Sequence, residues 1–157
     1  AGDHHLLLVP SQRPVPQRVL ICVAVGEPGK DGVLFAGRLV RHLGAAATIL
    51  TVIPAWRSDQ AVARGERFLT AGGRTLSRVG VEAQTLLRRG QAREEILAEV
   101  RKGQYELVVL GAPLTGRNKG VVLPGLLEDL LGQLCDIPVL IVQSRLRVGE
   151  EPATGSP

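Results

Sequence analysis

The chain reads as an α/β domain, a parallel sheet covered by helices on both faces, and three observations lead there. Short, continuously apolar runs alternate with segments of helical period in the order strand, helix, strand, helix, strand, helix, strand, helix, strand. Connections between them are short, as parallel βαβ units require. Aromatic residues make up 3% of the 157-residue chain, so the core must be built from Leu, Val, Ile and Ala, as in strands buried on both faces.

In chain order, residues 4–9 form a short apolar run closed by Pro10, and residues 11–16 are a proline-punctuated linker. The opening is an edge strand or the tail of a preceding segment. The start at Ala1 without methionine suggests processing or excision from a larger protein. Adjacent His4 and His5 lack Cys, Asp or Glu companions at ligand spacing and read as solvated side chains.

Residues 17–25 form the first strand, and residues 26–32 a turn-rich loop. A helix follows over about 31–43, packed through Val33, Leu34, Leu39 and Val40, with Gly44 as its stop. Residues 46–53 are the second strand, ended by Pro54. Trp56 and Arg57 follow in a loop, where Trp56 either stacks on a base or covers the next helix.

Residues 58–79 form a helix capped by Ser58 or Asp59 and weakened by Gly65, Gly72 and Gly73. The third strand, 81–87, alternates with polar Glu82 and Gln84 and so belongs near an edge. The helix over 92–102 carries Ile96, Leu97 and Val100 at helical spacing, with Glu94 and Glu95 in its first turn.

Residues 107–110 are four apolar residues, the signature of a central strand, and they run into the glycine-rich basic stretch 111–120. Gly111, Gly116 and Gly120 allow tight turns and close backbone approach, while Arg117 and Lys119 bring positive charge. At the carboxyl end of a parallel strand such a loop suits a phosphate. A last helix over about 124–134 and a fifth strand, 137–142, complete the pattern. We place an N-terminal segment and linker at 1–16, one domain at 17–143, and a polar tail at 144–157 that is expected to be disordered.

The net charge of +4 comes with a local pair at Arg88 and Arg89 but no basic run interleaved with aromatics, which argues against nucleic acid. No apolar run approaches the ~20 residues of a membrane span, and no signal-peptide pattern opens the chain, so no membrane insertion is expected. Cys22 and Cys135 have neither metal nor disulfide spacing and read as buried hydrophobes of a cytoplasmic protein.

Residues 18–25 (RVLICVAV), 90–96 (GQAREEI), 107–111 (LVVLG) and 137–142 (IPVLIV) together resemble the universal stress protein family, in order and at matching spacings over residues 17–143. The resemblance implies a Rossmann-like five-stranded parallel sheet, dimerisation through the last strand, and in one branch an ATP or AMP site. That branch carries glycine, two residues, glycine, nine residues, then glycine followed by serine or threonine. Gly111 matches the first glycine. Leu114 stands at the second, with Gly116 the nearest substitute, and Gly125 matches the last but precedes Leu126 instead of a hydroxyl. The loop is one residue longer than the pattern.

Nucleotide-binding relatives also carry an aspartate at the end of the first strand, where this chain has Gly26 after Val25, with Glu27 one residue out of register. Pro124 removes a backbone donor just before Gly125. The missing hydroxyl costs one phosphate hydrogen bond, about 1 kcal/mol, while Thr115, Arg117, Asn118 and Lys119 supply other phosphate donors.

The expected site is thus Val25, Gly26, Gly111, Thr115, Gly116, Arg117 and Gly125, with ATP or AMP as ligand and Mg only as the companion of ATP. The alternative is a dimeric regulatory domain that does not bind nucleotide and is appended to a membrane transporter. Catalysis is not expected. His42 lies inside a helix, no Ser-His-Asp or Cys-His arrangement is apparent, and the serine-glycine-glycine loop of adenine-nucleotide α-hydrolases is missing. Slow ATP hydrolysis stays open.

Overall fold

The structure, a computed structural model, describes residues 5–113, 125–134 and 136–144. Six strands and four helices follow one another: β1 (Leu6–Leu8), β2 (Arg18–Cys22), α1 (Glu27–Leu43), β3 (Ala46–Ile53), α2 (Asp59–Arg78), β4 (Ala83–Arg89), α3 (Ala92–Gly103), β5 (Leu107–Pro113), α4 (Leu126–Gln133) and β6 (Val139–Ser144). The sheet order is β1-β6-β5-β2-β3-β4. Strands β2 to β6 are mutually parallel and β1 alone runs antiparallel, against β6.

The expected α/β class holds, with one strand more than the expected five. The extra strand is the edge alternative for residues 4–9. Leu6 to Leu8 pair with Val139 to Ile141, and β1 is a short ribbon whose three leucines stay 39–54% exposed. Chain order reverses between β2 and β5, because β3 and β4 extend the sheet on one side of β2 while β5 and β6 extend it on the other. The switch point therefore lies at the β2–β5 border.

Alternation along the strands sends successive residues to opposite faces. Val19, Ile21, Ile49, Val109 and Leu140 pack under α1 and α2. Leu20, Cys22, Leu50, Val108, Leu110 and Ile141 pack against residues of α3 and α4, including Ile96, Leu97, Val100 and Leu130. Val33 and Val40 of α1 are fully buried as expected, with Ala36 between them, whereas Leu34 and Leu39 are only half-buried.

Several boundaries differ from the sequence reading. The turn-rich loop expected over 26–32 is largely helix, because α1 starts at Glu27 with Pro28 in its first turn, where the missing N–H has no helical partner to lose. Strand β2 ends at Cys22, although the Val23 amide still donates to the Leu50 carbonyl at 3.0 Å. Strand β4 takes in Arg88 and Arg89, which pair with Val52 and Ile53. Strand β5 continues through Gly111, Ala112 and Pro113, paired with Val142, Gln143 and Ser144, so the glycine-rich stretch starts inside the sheet. Ser58 caps α2, its hydroxyl accepting from the Ala61 amide at 3.3 Å. Gly44 ends α1 in the left-handed conformation.

Among the described residues no helix is long and apolar enough to cross a membrane.

Candidate functional site

The carboxyl ends of β2, β3, β4 and β5 form one rim. Register fixes their relative heights: Cys22 pairs with Leu50 and with Leu110, and Ile53 pairs with Arg89. Gly111 therefore lies one residue above the β2–β5 pairing, and Val25 lies three residues beyond the end of β2. Past Cys22 the chain is tied to β3 twice. The Val23 amide donates to Leu50, and the buried Thr51 hydroxyl donates to the Val23 carbonyl at 3.0 Å. That carbonyl would otherwise sit unpaired where β2 ends. The tether holds the Val25–Gly26 turn at the mouth of the crevice.

Gly26 makes the turn. Its φ of 133° and ψ of −177° belong to a region that side chains avoid, and it is the N-cap of α1 with no side-chain cap bond. An aspartate at this position would be strained. Glu27 opens α1 and does not continue an extended segment.

Gly111 plays a different part from the one its sequence context suggests. It is extended, paired with Val142 and exposed, so it serves no turn. Among the described residues, a Cβ placed on it would meet only the Cys22 carbonyl oxygen, at 4.0 Å. Gly125, with φ 86°, is the N-cap of α4, whose first turn carries Glu128 and Asp129. Their charge opposes an anion at that helix end, which would otherwise attract one. Asp129 is partly offset by Arg93, 3.9 Å away on α3.

Of the seven expected site residues, Val25, Gly26 and Gly111 share the rim at the switch point, and Gly125 starts the helix that follows it. Thr115, Gly116 and Arg117, with Asn118, Lys119, Gly120, Leu114 and Pro124, lie outside the described residues, as do His4 and Cys135. His5 packs on the Phe35 ring at a centroid distance of 4.2 Å. His42 is exposed in the last turn of α1. Cys22 is buried directly beneath the crevice, and burial pushes its thiol up to about 12, with the Glu99 charge adding to the shift. A cysteine held so firmly as a thiol is no nucleophile.

Sequence reasoning missed the way the rim is braced. Arg89, at the end of β4, donates from Nη2 to the carbonyl oxygens of Ala55 at 3.3 Å and Arg57 at 3.1 Å, and its Nη1 lies 3.6 Å from Asp59. Its neighbour Arg88 turns to the other face and reaches Glu99 of α3 at 3.4 Å. The signal was the Arg88–Arg89 pair itself, because adjacent strand residues point to opposite faces. A cavity of about 260 Å³ lies elsewhere, lined by Leu8, Val9, Pro10, Leu131, Leu134, Ile137 and Val139, at the β1–β6 edge.

Solved structures of this fold give the comparison. The universal stress protein from Archaeoglobus fulgidus in complex with dAMP is 14% identical, with a TM-score of 0.64, over 82% of this chain and 99% of that one. UspA from Lactobacillus plantarum is 15% identical, with a TM-score of 0.67, over 80% and 97%. A family protein from Arabidopsis thaliana with AMP bound is 13% identical, with a TM-score of 0.61, over 87% and 98%. No curated protein sequence matches the chain significantly. The sequence pattern of the universal stress protein family matches residues 16–143, and the chain belongs to that family.

Proposed function

We propose that this protein is a regulatory module that binds an adenine nucleotide, ATP or AMP, at the β2–β5 crevice, through a site altered from that of its nucleotide-binding relatives. One observation carries the reading. Among the described residues, a side chain on Gly111 at the switch-point rim would meet only a backbone carbonyl, at 4.0 Å. Universal stress proteins of similar fold in complex with dAMP, cAMP and AMP support the ligand class. Thr115, Gly116 and Arg117 complete the proposed site as phosphate donors, and Mg enters only with ATP. The role is binding, not turnover, with slow ATP hydrolysis at most.

Equilibrium binding of ATP and AMP by calorimetry tests this. Saturable binding is expected, and Gly111→Val, which fills the opening, should weaken it about tenfold or more with the fold intact, as the loss of roughly 1.4 kcal/mol implies. Absence of saturable binding by folded protein would overturn it.

A second reading, a regulatory domain that takes no nucleotide, is favoured by Glu128 and Asp129 at the start of α4 and by Leu126 in place of a hydroxyl. It would work as a homodimer in the cytoplasm, joined to or partnered with a membrane transporter. Dimerisation through the last strand would use β6, whose outer edge carries β1 over Val139 to Ile141. Such a dimer would therefore form after β1 is displaced or through β1 itself. Sedimentation of the full chain against one lacking residues 1–9 separates these routes.

A further inference from the structure

The loop between β3 and α2 displays Trp56, which at 77% exposure is the most exposed large hydrophobic side chain among the described residues. An indole that open buries little of its surface against the protein. The loop is also held more tightly than a connection requires. The Arg57 amide closes a turn onto the Pro54 carbonyl at 3.0 Å, Arg89 clamps the carbonyls of Ala55 and Arg57, and Ser58 caps the helix that follows. The Arg57 guanidinium carbon sits 4.7 Å from the indole centroid and backs one face of the ring. Most of the residue's surface faces solvent.

Position gives this platform its meaning. Trp56 follows Ile53 by three residues, on the same carboxyl rim as Val25, and β3 is the strand directly beside β2. Neighbouring strands are spaced about 4.8 Å apart, so the indole stands one strand from the switch-point crevice. An exposed aromatic ring backed by arginine is suited to stacking on a nucleobase. The chain offers one such ring. It has one Trp, one Tyr and two Phe; Tyr105 and Phe68 are buried, and Phe35 packs against His5. A strand of nucleic acid needs a succession of stacking rings along a groove, so a single mononucleotide is the fitting occupant.

We propose that Trp56, backed by Arg57 and positioned by Arg89, is the stacking platform for the adenine base of the nucleotide held at the β2–β5 crevice. This rests on the nucleotide reading above and adds the residue that reads the base.

Trp56 is the only tryptophan in the chain, so its fluorescence, excited where purines are transparent, reports on this position alone. AMP and ATP are titrated against ribose 5-phosphate and tripolyphosphate, with calorimetry in parallel on the same protein. Saturable quenching by AMP and ATP and none by the two base-free controls is expected. Trp56→Ala should weaken AMP binding about tenfold, in keeping with one base stack, while Trp56→Phe stays within about threefold. The exposed indole packs on no core, so both variants should keep the thermal midpoint of the parent.

Heat of AMP binding with unchanged emission, or with unchanged affinity in Trp56→Ala, overturns the platform and leaves the nucleotide reading standing. Quenching by ribose 5-phosphate equal to that by AMP also overturns it. Neither heat nor quenching removes both.

Discussion

The α1–α2 face of the sheet and the α3–α4 face are packed by different means. Under α1 and α2 the packing is apolar apart from the buried Thr51, whose hydroxyl is spent on the Val23 carbonyl, and the helices present glycines to close neighbours: Gly37 to Leu76, Gly65 to Leu87 and Ile53, Gly72 to Ile49 and Val33. Under α3 and α4 a polar network crosses the packing. The Tyr105 hydroxyl donates to Glu99 at 2.9 Å, Arg88 approaches the same carboxylate from β4, and Glu99 is 8% exposed. The Arg18 guanidinium stands 5.6 Å from the tyrosine ring. The first face gains stability from shape, so any change of volume there is felt. The second depends on every member of a network being satisfied, so removing one partner costs more than the bond itself.

The largest effect that would sharpen this comparison is a cavity on the apolar face. Leu76→Ala should lower the unfolding free energy by about 3 kcal/mol, read by urea denaturation, because Leu76 is fully buried between α1 and α2. A loss under about 1 kcal/mol would mean that this face yields easily and that the contrast is misdrawn.

Next comes the polar face. Glu99→Ala should cost about 2 kcal/mol by leaving the Tyr105 hydroxyl and the half-exposed Arg88 short of a partner, and Tyr105→Phe should cost about 1 kcal/mol. The two together should cost less than their sum, since they share one bond. Strict additivity would show that no network is present.

Burial holds the Tyr105 phenol above its ordinary range, with the Glu99 contacts adding to the shift and Thr48 and Arg18 opposing it. A group whose folded value is raised gives stability that is fully present below the unfolded value and is lost as pH rises through the folded one. Stability should therefore hold up to about pH 10 and then fall, and Tyr105→Phe should lose less over that alkaline window. Denaturation at paired pH values checks the sign.

Glycines give the finest test. Gly37→Ala would drive a methyl into Leu76 and should cost about 1 kcal/mol net, overpacking outweighing the gain in helix propensity. Gly73→Ala, in the same layer, would meet only Thr85 at 3.6 Å and should stabilise by about 0.5 kcal/mol. Equal effects at the two positions would show that helix propensity, not close approach, governs this face.

Legibility followed the same physics. Strands buried on both faces, such as residues 107–110, announce themselves because nothing polar can be tolerated there. The cap at Ser58 and the stop at Gly44 were equally plain, being local backbone requirements. The start of α1 was misread since Pro28, Gly29 and Gly32 signal turns in isolation, yet Val33, Ala36 and Val40 pull that segment into a helix against the sheet. In the site, Gly26 was read as the place of a missing acid and Gly111 as a glycine for turns or close approach, whereas Gly26 takes a backbone angle that side chains avoid and Gly111 is extended and paired in the sheet. The bracing of Trp56 by Arg89 joins residues 32 or more positions apart, a pairing that local pattern cannot reveal.

The sequence by itself determined the alternation of elements and the burial of the central strands, because each follows from local periodicity and from which residues water rejects, and its motifs carried the resemblance to the family. Tertiary structure alone decided that residues 6–8 close the sheet as an antiparallel edge, which face each arginine of the 88–89 pair serves, and how Trp56 is held out at the rim. Those outcomes depend on what lies beside a residue in space, and strand order sets that by pairing segments far apart along the chain.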